Sequence, residues 1–317
     1  MNLFLQRVID GLNNGAIYSV VAIPMVLIFK ATTLINFAQG ELAMIGAFFF
    51  FIFAVQAFSL PVWIAAIIAM ILAALLGMAI ERTMLRSFDP TDHLPVVLIT
   101  LGVFYIINAV AGDVWNYQAQ NGVPKLLPWE GTWVFFASEE NPLGLRVQYD
   151  AVSTVIALLV MLGVLYLVLN KTKMGLAFRG VSSNTESSRL VGIRVGRILS
   201  FGWALACAFG ALGAIIVIPR ITLQPNMMAV VLIYALAAAA FGGLDSVFGA
   251  ALGGFVVGLL NSLVLGYIAD IDREIFGIEV DMSSLTAAPL IFPVILLISV
   301  LWFKPAGLFG TKSIERV

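Results

Sequence analysis

The chain has 317 residues, of which 61% are hydrophobic and 11% charged, with a mean hydropathy of +1.04; soluble domains average about 25% charged residues, so water is not this protein's main solvent. Seventeen Lys and Arg against eighteen Asp and Glu leave a net charge of −1, which excludes a global field for nucleic acid. A single cysteine, Cys207, excludes an internal disulfide, and with one histidine, His93, a zinc or redox cluster has too few ligands.

A bilayer core takes about 20 apolar residues per helix. On that scale the chain offers spans near 8–28, 36–57, 60–81, 94–115, 151–170, 199–218, 227–241, 248–268 and 287–303. The prediction is an all-α fold, a polytopic bundle of about 8–9 membrane helices forming a single transmembrane domain over 1–317. The opening MNLFLQRVIDGLNNGAIY lacks a short apolar core with a small-residue cleavage site and reads as a retained first helix. The stretch 35–57 reads as a helix broken near Gly40, and the segment 227–241 is short for a span.

Lys and Arg are retained in cytoplasmic loops. Placing the loop 171–198 inside puts twelve of the seventeen basic residues on that side and five, Arg7, Lys125, Arg146, Arg220 and Arg273, on the other. This predicts a cytoplasmic C-terminus and, with nine spans, an external N-terminus. The external loop 116–150 carries Trp115, Tyr117, Trp129 and Trp133 at its borders and within it, as residues at a membrane interface do. The loop 269–286 is acidic, with Asp270, Asp272, Glu274, Glu279 and Asp281.

Small residues mark helix contacts. Gly249-x-x-x-Gly253 and Gly254-x-x-x-Gly258 allow two backbones to approach closely, within the chain or at a subunit seam.

Polar groups at membrane depth face protein, water or a pathway. Asn13, Asn14, Tyr18 and Ser19 lie on the first helix, where Asn14 and Tyr18, four apart, share a face that would line a cavity or bond a neighbouring helix. Asn36, Gln39 and Glu41 open the second span, and the Glu41 carboxylate needs a partner, a helix N-terminus or water. It would sit at the cytoplasmic mouth as a structural group, or in the translocation path or its gate. The loop 171–198 is basic yet carries Met174, Leu176, Ala177, Phe178, Leu190, Val191 and Ile193, a pattern for short surface helices awaiting a cytoplasmic partner. Anionic lipid is the competing ligand. No Gly-Lys dipeptide occurs, so the chain lacks a G-x-x-x-x-G-K-[ST] phosphate loop, and any ATP driving it is hydrolysed elsewhere.

Four blocks carry a family resemblance: Gly11-Leu12-x-x-Gly15-Ala16-Ile17-Tyr18, Leu34-Ile35-Asn36-Phe37-Ala38-Gln39-Gly40-Glu41, Met174-Gly175-x-Ala177-x-Arg179 through Asn184 to Gly192-Ile193, and Phe241-Gly242-Gly243-Leu244-Asp245-Ser246. In order and spacing they resemble the branched-chain amino acid ABC transporter permeases, the shorter, high-affinity leucine/isoleucine/valine type. The resemblance implies a permease subunit in a bacterial cytoplasmic (inner) membrane. It implies a second related permease subunit, two cytoplasmic ATPase subunits that bind ATP and Mg, and a periplasmic or extracellular solute-binding protein as partners, besides membrane lipid. It implies no cofactor in this chain. Asn14, Tyr18, Asn36, Gln39 and Glu41 would belong to the translocation path or gate. Gly175, Ala177, Arg179 and Gly192 would couple to an ATPase, with Phe178 and Leu190 as apolar anchors. Where the family has His before the Gly-Glu pair this chain has Gln39, and its 116–150 loop is longer, so the solute is left open between branched-chain amino acids, urea, short amides and aromatic acids.

The rival from another class is an ATP-independent secondary transporter or channel, which would carry buried charged pairs and paired halves. A membrane-embedded enzyme would have only Glu41, Asp113 and His93 to work with.

Overall fold

The computed structural model describes residues 2–88, 93–127, 129, 131–137, 144–268, 273–275, 278–280, 290–304 and 306–310. In chain order these form α1 (Asn2–Thr32), α2 (Gln39–Phe51) continued by a π-helical turn to Gln56, and α3 (Val62–Ile80) continued by a second to Leu85. Then come α4 (His93–Trp115), a hairpin of β1 (Thr132–Phe135) and β2 (Leu145–Gln148), and α5 (Tyr149–Lys171). Two short helices, α6 (Lys173–Ser183) and α7 (Thr185–Leu190), precede α8 (Val195–Val217), α9 (Met228–Gly242) and α10 (Val247–Ile268). A small hairpin, β3 (Arg273–Ile275) with β4 (Ile278–Val280), and α11 (Ile291–Phe303) complete the described elements. Seven of the helices are long and apolar enough to cross a membrane, and α9 and α11 are shorter apolar helices. Together they account for the nine predicted segments, and the chain is a multi-pass membrane protein.

Small residues decide which helices form the centre. Gly15 on α1 has no room for a side chain, since a Cβ there would lie 2.6 Å from the Phe255 Cα of α10. Ser19 Oγ donates to the Ala251 carbonyl across the same seam, at 2.6 Å. The two glycine pairs on α10 face different ways: Gly254 and Gly258 meet α1, and Gly249 and Gly253 meet α9 at Gly242 and Ala238. Both therefore pack within the chain. On the other side of the bundle Gly46 of α2 meets Ala211 of α8, and Gly77 of α3 meets Trp203 and Cys207 of α8. Helices α3, α4, α5 and α11 turn large apolar side chains outward, such as Ile67, Ile71, Leu98, Leu159 and Trp302, as a lipid-facing or subunit-facing surface requires.

Two helices start inside the bundle instead of at its ends. After α1 the chain turns back through residues 33–38, and Gln39 Nε2 donates to the carbonyl of Ala206, halfway along α8 (3.4 Å). The break expected near Gly40 thus falls just before Gln39. Non-helical backbone at such depth is tolerated because it is buried in protein and bonded: Asn36 Oδ1 accepts from the Ala38 N–H at 3.0 Å, and Asn36 Nδ2 donates to Gln39 Oε1 at 3.3 Å. Helix α9 starts beside the same point, where Gly40 packs on Met228 and Leu232.

At the far end of α9 the block Phe241 to Ser246 makes a knot. Gly243 has φ +113, a conformation a side chain would strain. Residues 307–310 lie against it, with the N–H groups of Leu308 and Phe309 donating to the carbonyls of Phe241 and Gly242, both at 2.9 Å. Lys30 Nζ donates to the Asp245 carbonyl at 3.2 Å, tying the end of α1 to the same knot.

Candidate functional site

Polar function concentrates at three levels of the bundle. The first is the segment 171–198 at the Lys30 end. Thr172 caps α6, accepting the Gly175 N–H at 3.0 Å, and Asn184 caps α7 through the Ser187 N–H at 2.8 Å. Two short helices result, as the sequence pattern requires. Helix α6 lies against the end of α5, where a Cβ on Gly175 would meet the Leu169 Cα at 2.5 Å, so the close approach of Gly175 is made within the chain. Phe178, expected as an apolar anchor, is 1% exposed, its ring packed on Gly202 near Ala31, because its position on α6 faces α8 and α1. Arg179 is exposed and Ala177 half-buried. Gly192, with φ +83, ends α7 in a left-handed turn whose N–H donates to the Arg189 carbonyl at 3.0 Å. Leu190 and Val191, at 88% and 76% exposure, form the apolar tip, and Leu176 of α6 is exposed as well.

A clamp that sequence reasoning missed braces this segment from behind. Glu81, 2% exposed, pairs with Arg86 at 2.9 Å, and Ser200 of α8 donates to the same carboxylate oxygen. Arg86 Nη2 also donates to the Gly196 carbonyl at 2.9 Å, so the end of α3 grips the first turn of α8. An acidic residue five places before an arginine at a span's end was the available signal.

The second level is the meeting point of the α2 and α9 N-termini. Asn36 and Gln39 are buried and bonded as described, so they hold the turn. Glu41 is 1% exposed in the first turn of α2, where the helix dipole favours a negative group. Asn108 of α4 lies near its carboxylate, and Oε2 has no hydrogen-bond partner among the described residues. Asn108 in turn donates to Asn226 Oδ1, just ahead of α9.

The third level is a polar cavity of about 440 Å³ at the opposite end, lined by Arg7, Asp10, Asn13, Asn14, Arg220 and Asn261 among others. Arg7, Asp10 and Asn14 repeat at helical spacing on α1. Below them Tyr18 stacks on Tyr234 with ring centres 4.5 Å apart, and the Tyr234 hydroxyl donates to Asn261 Oδ1 at 3.0 Å. The predicted Asn14–Tyr18 strip thus runs from the cavity wall to a buried aromatic pair. Asn13 Oδ1 and Arg220 Nη2 are hidden from solvent and have no hydrogen-bond partners among the described residues. Burial pushes the Arg220 guanidinium down from its usual value, with Asp150 and then Asp10 pulling it back up; as an arginine it stays a cation. Asp150 is paired with Lys125 at 3.2 Å. Sequence reasoning counted Arg220 only as a loop charge and missed Asp10, Tyr234 and Asn261, which meet only through the fold.

Residues 7–301 match the family described as branched-chain amino acid transport system, permease component. The chain is 28% identical to the high-affinity branched-chain amino acid transport system permease protein BraD of Pseudomonas aeruginosa, over 99% of this chain and 98% of that one. It is 24% identical to the permease protein LivH of Escherichia coli, with coverage of 99% and 98%. A probable branched-chain amino acid transport permease of Methanocaldococcus jannaschii, also LivH, is 28% identical over 96% of this chain and 94% of its own. With an apolar helical bundle, a polar cavity at one end and an exposed helical tip at the other, matched over nearly its whole length, the chain belongs to the family of branched-chain amino acid transport permease components.

Proposed function

We propose that this permease works in an ATP-driven importer and carries branched-chain amino acids across the cytoplasmic membrane. The observation that carries the reading is the apolar tip of Leu190 and Val191, held out on two capped helices at the end of the bundle where basic residues gather. Such a patch calls for a protein partner. That partner is a cytoplasmic ATPase, one of two, each binding ATP and Mg, with a second related permease completing the membrane path. The segment 171–198 and the C-terminus are then cytoplasmic, consistent with the distribution of Lys and Arg.

On the outer side, the exposed aromatics Trp129, Trp133, Phe135 and Phe136 of the 116–150 loop favour docking of a solute-binding protein. Solute enters by the Arg7–Arg220 cavity and passes Tyr18 and Glu41 as the path opens. In that pathway Asn36 and Gln39 support the gate by holding the α2 turn.

Reconstitution tests the whole reading. Vesicles holding this permease with its partner permease and ATPases, supplied with binding protein and ATP, take up radiolabelled L-leucine, and uptake stops without ATP or without the binding protein. Uptake that persists without any ATPase would establish the secondary-transport alternative. A membrane-impermeant thiol reagent reaches a cysteine introduced at Ser183 only in inverted vesicles; labelling from the outside of intact cells reverses the orientation.

A further inference from the structure

Around the Arg7–Arg220 cavity the chain offers more charge and hydrogen-bonding capacity than it satisfies. Arg220 forms no ion pair among the described residues, and its Nη2 has no hydrogen-bond partner. The nearby Asp150 is held by Lys125. A guanidinium fork matches a carboxylate in two parallel bonds, and burial away from water strengthens such a contact. The wall also carries two acceptors: Asp10, exposed at the cavity's edge and taking one hydrogen bond from Gln6 Nε2 at 3.0 Å, and Asn13, whose Oδ1 has no donor among the described residues. Leaving a buried donor and a buried acceptor unpaired is costly, and one ligand bearing both an anion and a cation relieves both once the two side chains turn toward it. A volume of about 440 Å³ suits a small solute, and Leu265 adds an apolar wall.

We propose that this cavity binds the zwitterionic head of a free α-amino acid, with Arg220 receiving the carboxylate and Asp10 and Asn13 receiving the ammonium. The site recognises the head common to all α-amino acids and leaves side-chain choice to other contacts. The inference rests on the reading above that the solute is an amino acid.

The test uses the permease with its partner permease and ATPases in lipid nanodiscs, without binding protein, and L-leucine as the probe, read by saturation-transfer NMR. Wild type gives a stronger signal for L-leucine than for L-leucinamide, which lacks the carboxylate. Arg220→Gln lowers the leucine signal about tenfold, to the leucinamide level, as loss of one charge-assisted contact should. Its thermal midpoint stays at the wild-type value. Equal leucine signals in wild type and Arg220→Gln overturn the inference, and so does equal leucine and leucinamide signal in wild type. In either case leucine uptake by wild-type vesicles leaves the proposed function standing. Wild-type vesicles that import no amino acid defeat the substrate reading first, and this inference with it. If Arg220→Gln spares leucine but weakens association with the binding protein, Arg220 serves a protein carboxylate and the inference falls. Should Arg220→Gln not fold, Asn13→Ala decides: a leucine signal lowered to that of 4-methylpentanoate, which lacks the ammonium, supports the site, and an unchanged ratio overturns it.

Discussion

The two ends of the bundle put their polar groups to different uses. At the Lys30 end they are locked together: Glu81 to Arg86 and Ser200, Arg86 to the Gly196 carbonyl, Lys30 to the Asp245 carbonyl, and the last carbonyls of α9 to residues 308 and 309. At the Arg7 end Asn13 and Arg220 keep atoms beside a cavity that are unpaired among the described residues. A locked end can pass on a push applied at the Leu190 tip without deforming, whereas an open end can exchange its internal vacancies for bonds to a solute. The Glu81–Arg86 clamp and the cavity thus lie at opposite ends, and each can be removed without first touching the other.

The largest effect should come from breaking what both ends share, the α1–α10 seam. Gly15→Val would place carbon against the Phe255 backbone, which cannot yield as a flexible side chain could. Overpacking of this kind costs about 3 kcal/mol or more. Monodisperse protein in size-exclusion chromatography should be lost, and recovery at wild-type yield would mean that α1 and α10 are not so close.

Next comes the lock itself. Arg86→Ala strands the buried Glu81 carboxylate, at a cost of about 3 kcal/mol, the low end for a buried pair because Arg86 is partly exposed. The thermal midpoint should fall, and Glu81→Gln combined with Arg86→Ala should recover much of it, since the unpaired charge is then gone. A double variant no more stable than the single one would show that Arg86 acts through its bonds to α8 instead.

The tip should matter for association and not for folding. Leu190→Ser with Val191→Ser changes two exposed residues, so the midpoint should hold, while truncating a central anchor weakens an interface by about 2 kcal/mol, roughly thirtyfold. Co-purification of the ATPases measures it. A lipid-binding role would instead lower vesicle affinity and leave the ATPases attached.

Between the ends, Glu41→Gln keeps shape and removes charge. Assembly should be unchanged, because the amide fills the same space, while leucine uptake falls about tenfold, or about 1.4 kcal/mol in barrier. Normal uptake would return Glu41 to a structural part.

How much of this was legible in the sequence follows the same division. The spans, the two short helices of 171–198 and the exposed Leu190 announce themselves through composition and local pattern, because insertion in lipid and helix capping are decided within a few residues. The turn of Phe178 into the core and the spending of Gly175 on α5 were not legible, since an amphipathic helix in a loop shows which face is apolar but not what covers it. Arg220, Asp10 and Asn261 lie on a connector and two different helices, and only the α1–α10 seam brings them to one cavity. Asn36 and Gln39 stood out as polar, and their role as turn holders rests on α8, far along the chain.

The smallest predicted effect probes the floor of the open end. Tyr234→Phe keeps the ring on which Tyr18 stacks and removes only the hydroxyl that Asn261 accepts. Asn261 is 8% exposed, so its oxygen gains little from water in exchange, and the expected loss of stability is about 1 kcal/mol. A floor that merely packs would show that loss and nothing else. A floor that belongs to the solute site would also let the Asn261 amide turn, changing the KM for leucine about threefold while ATP hydrolysis without solute stays constant. An unchanged KM alongside the lowered midpoint would confine the solute to the Arg220 wall and make the Tyr18–Tyr234 stack a plug beneath it.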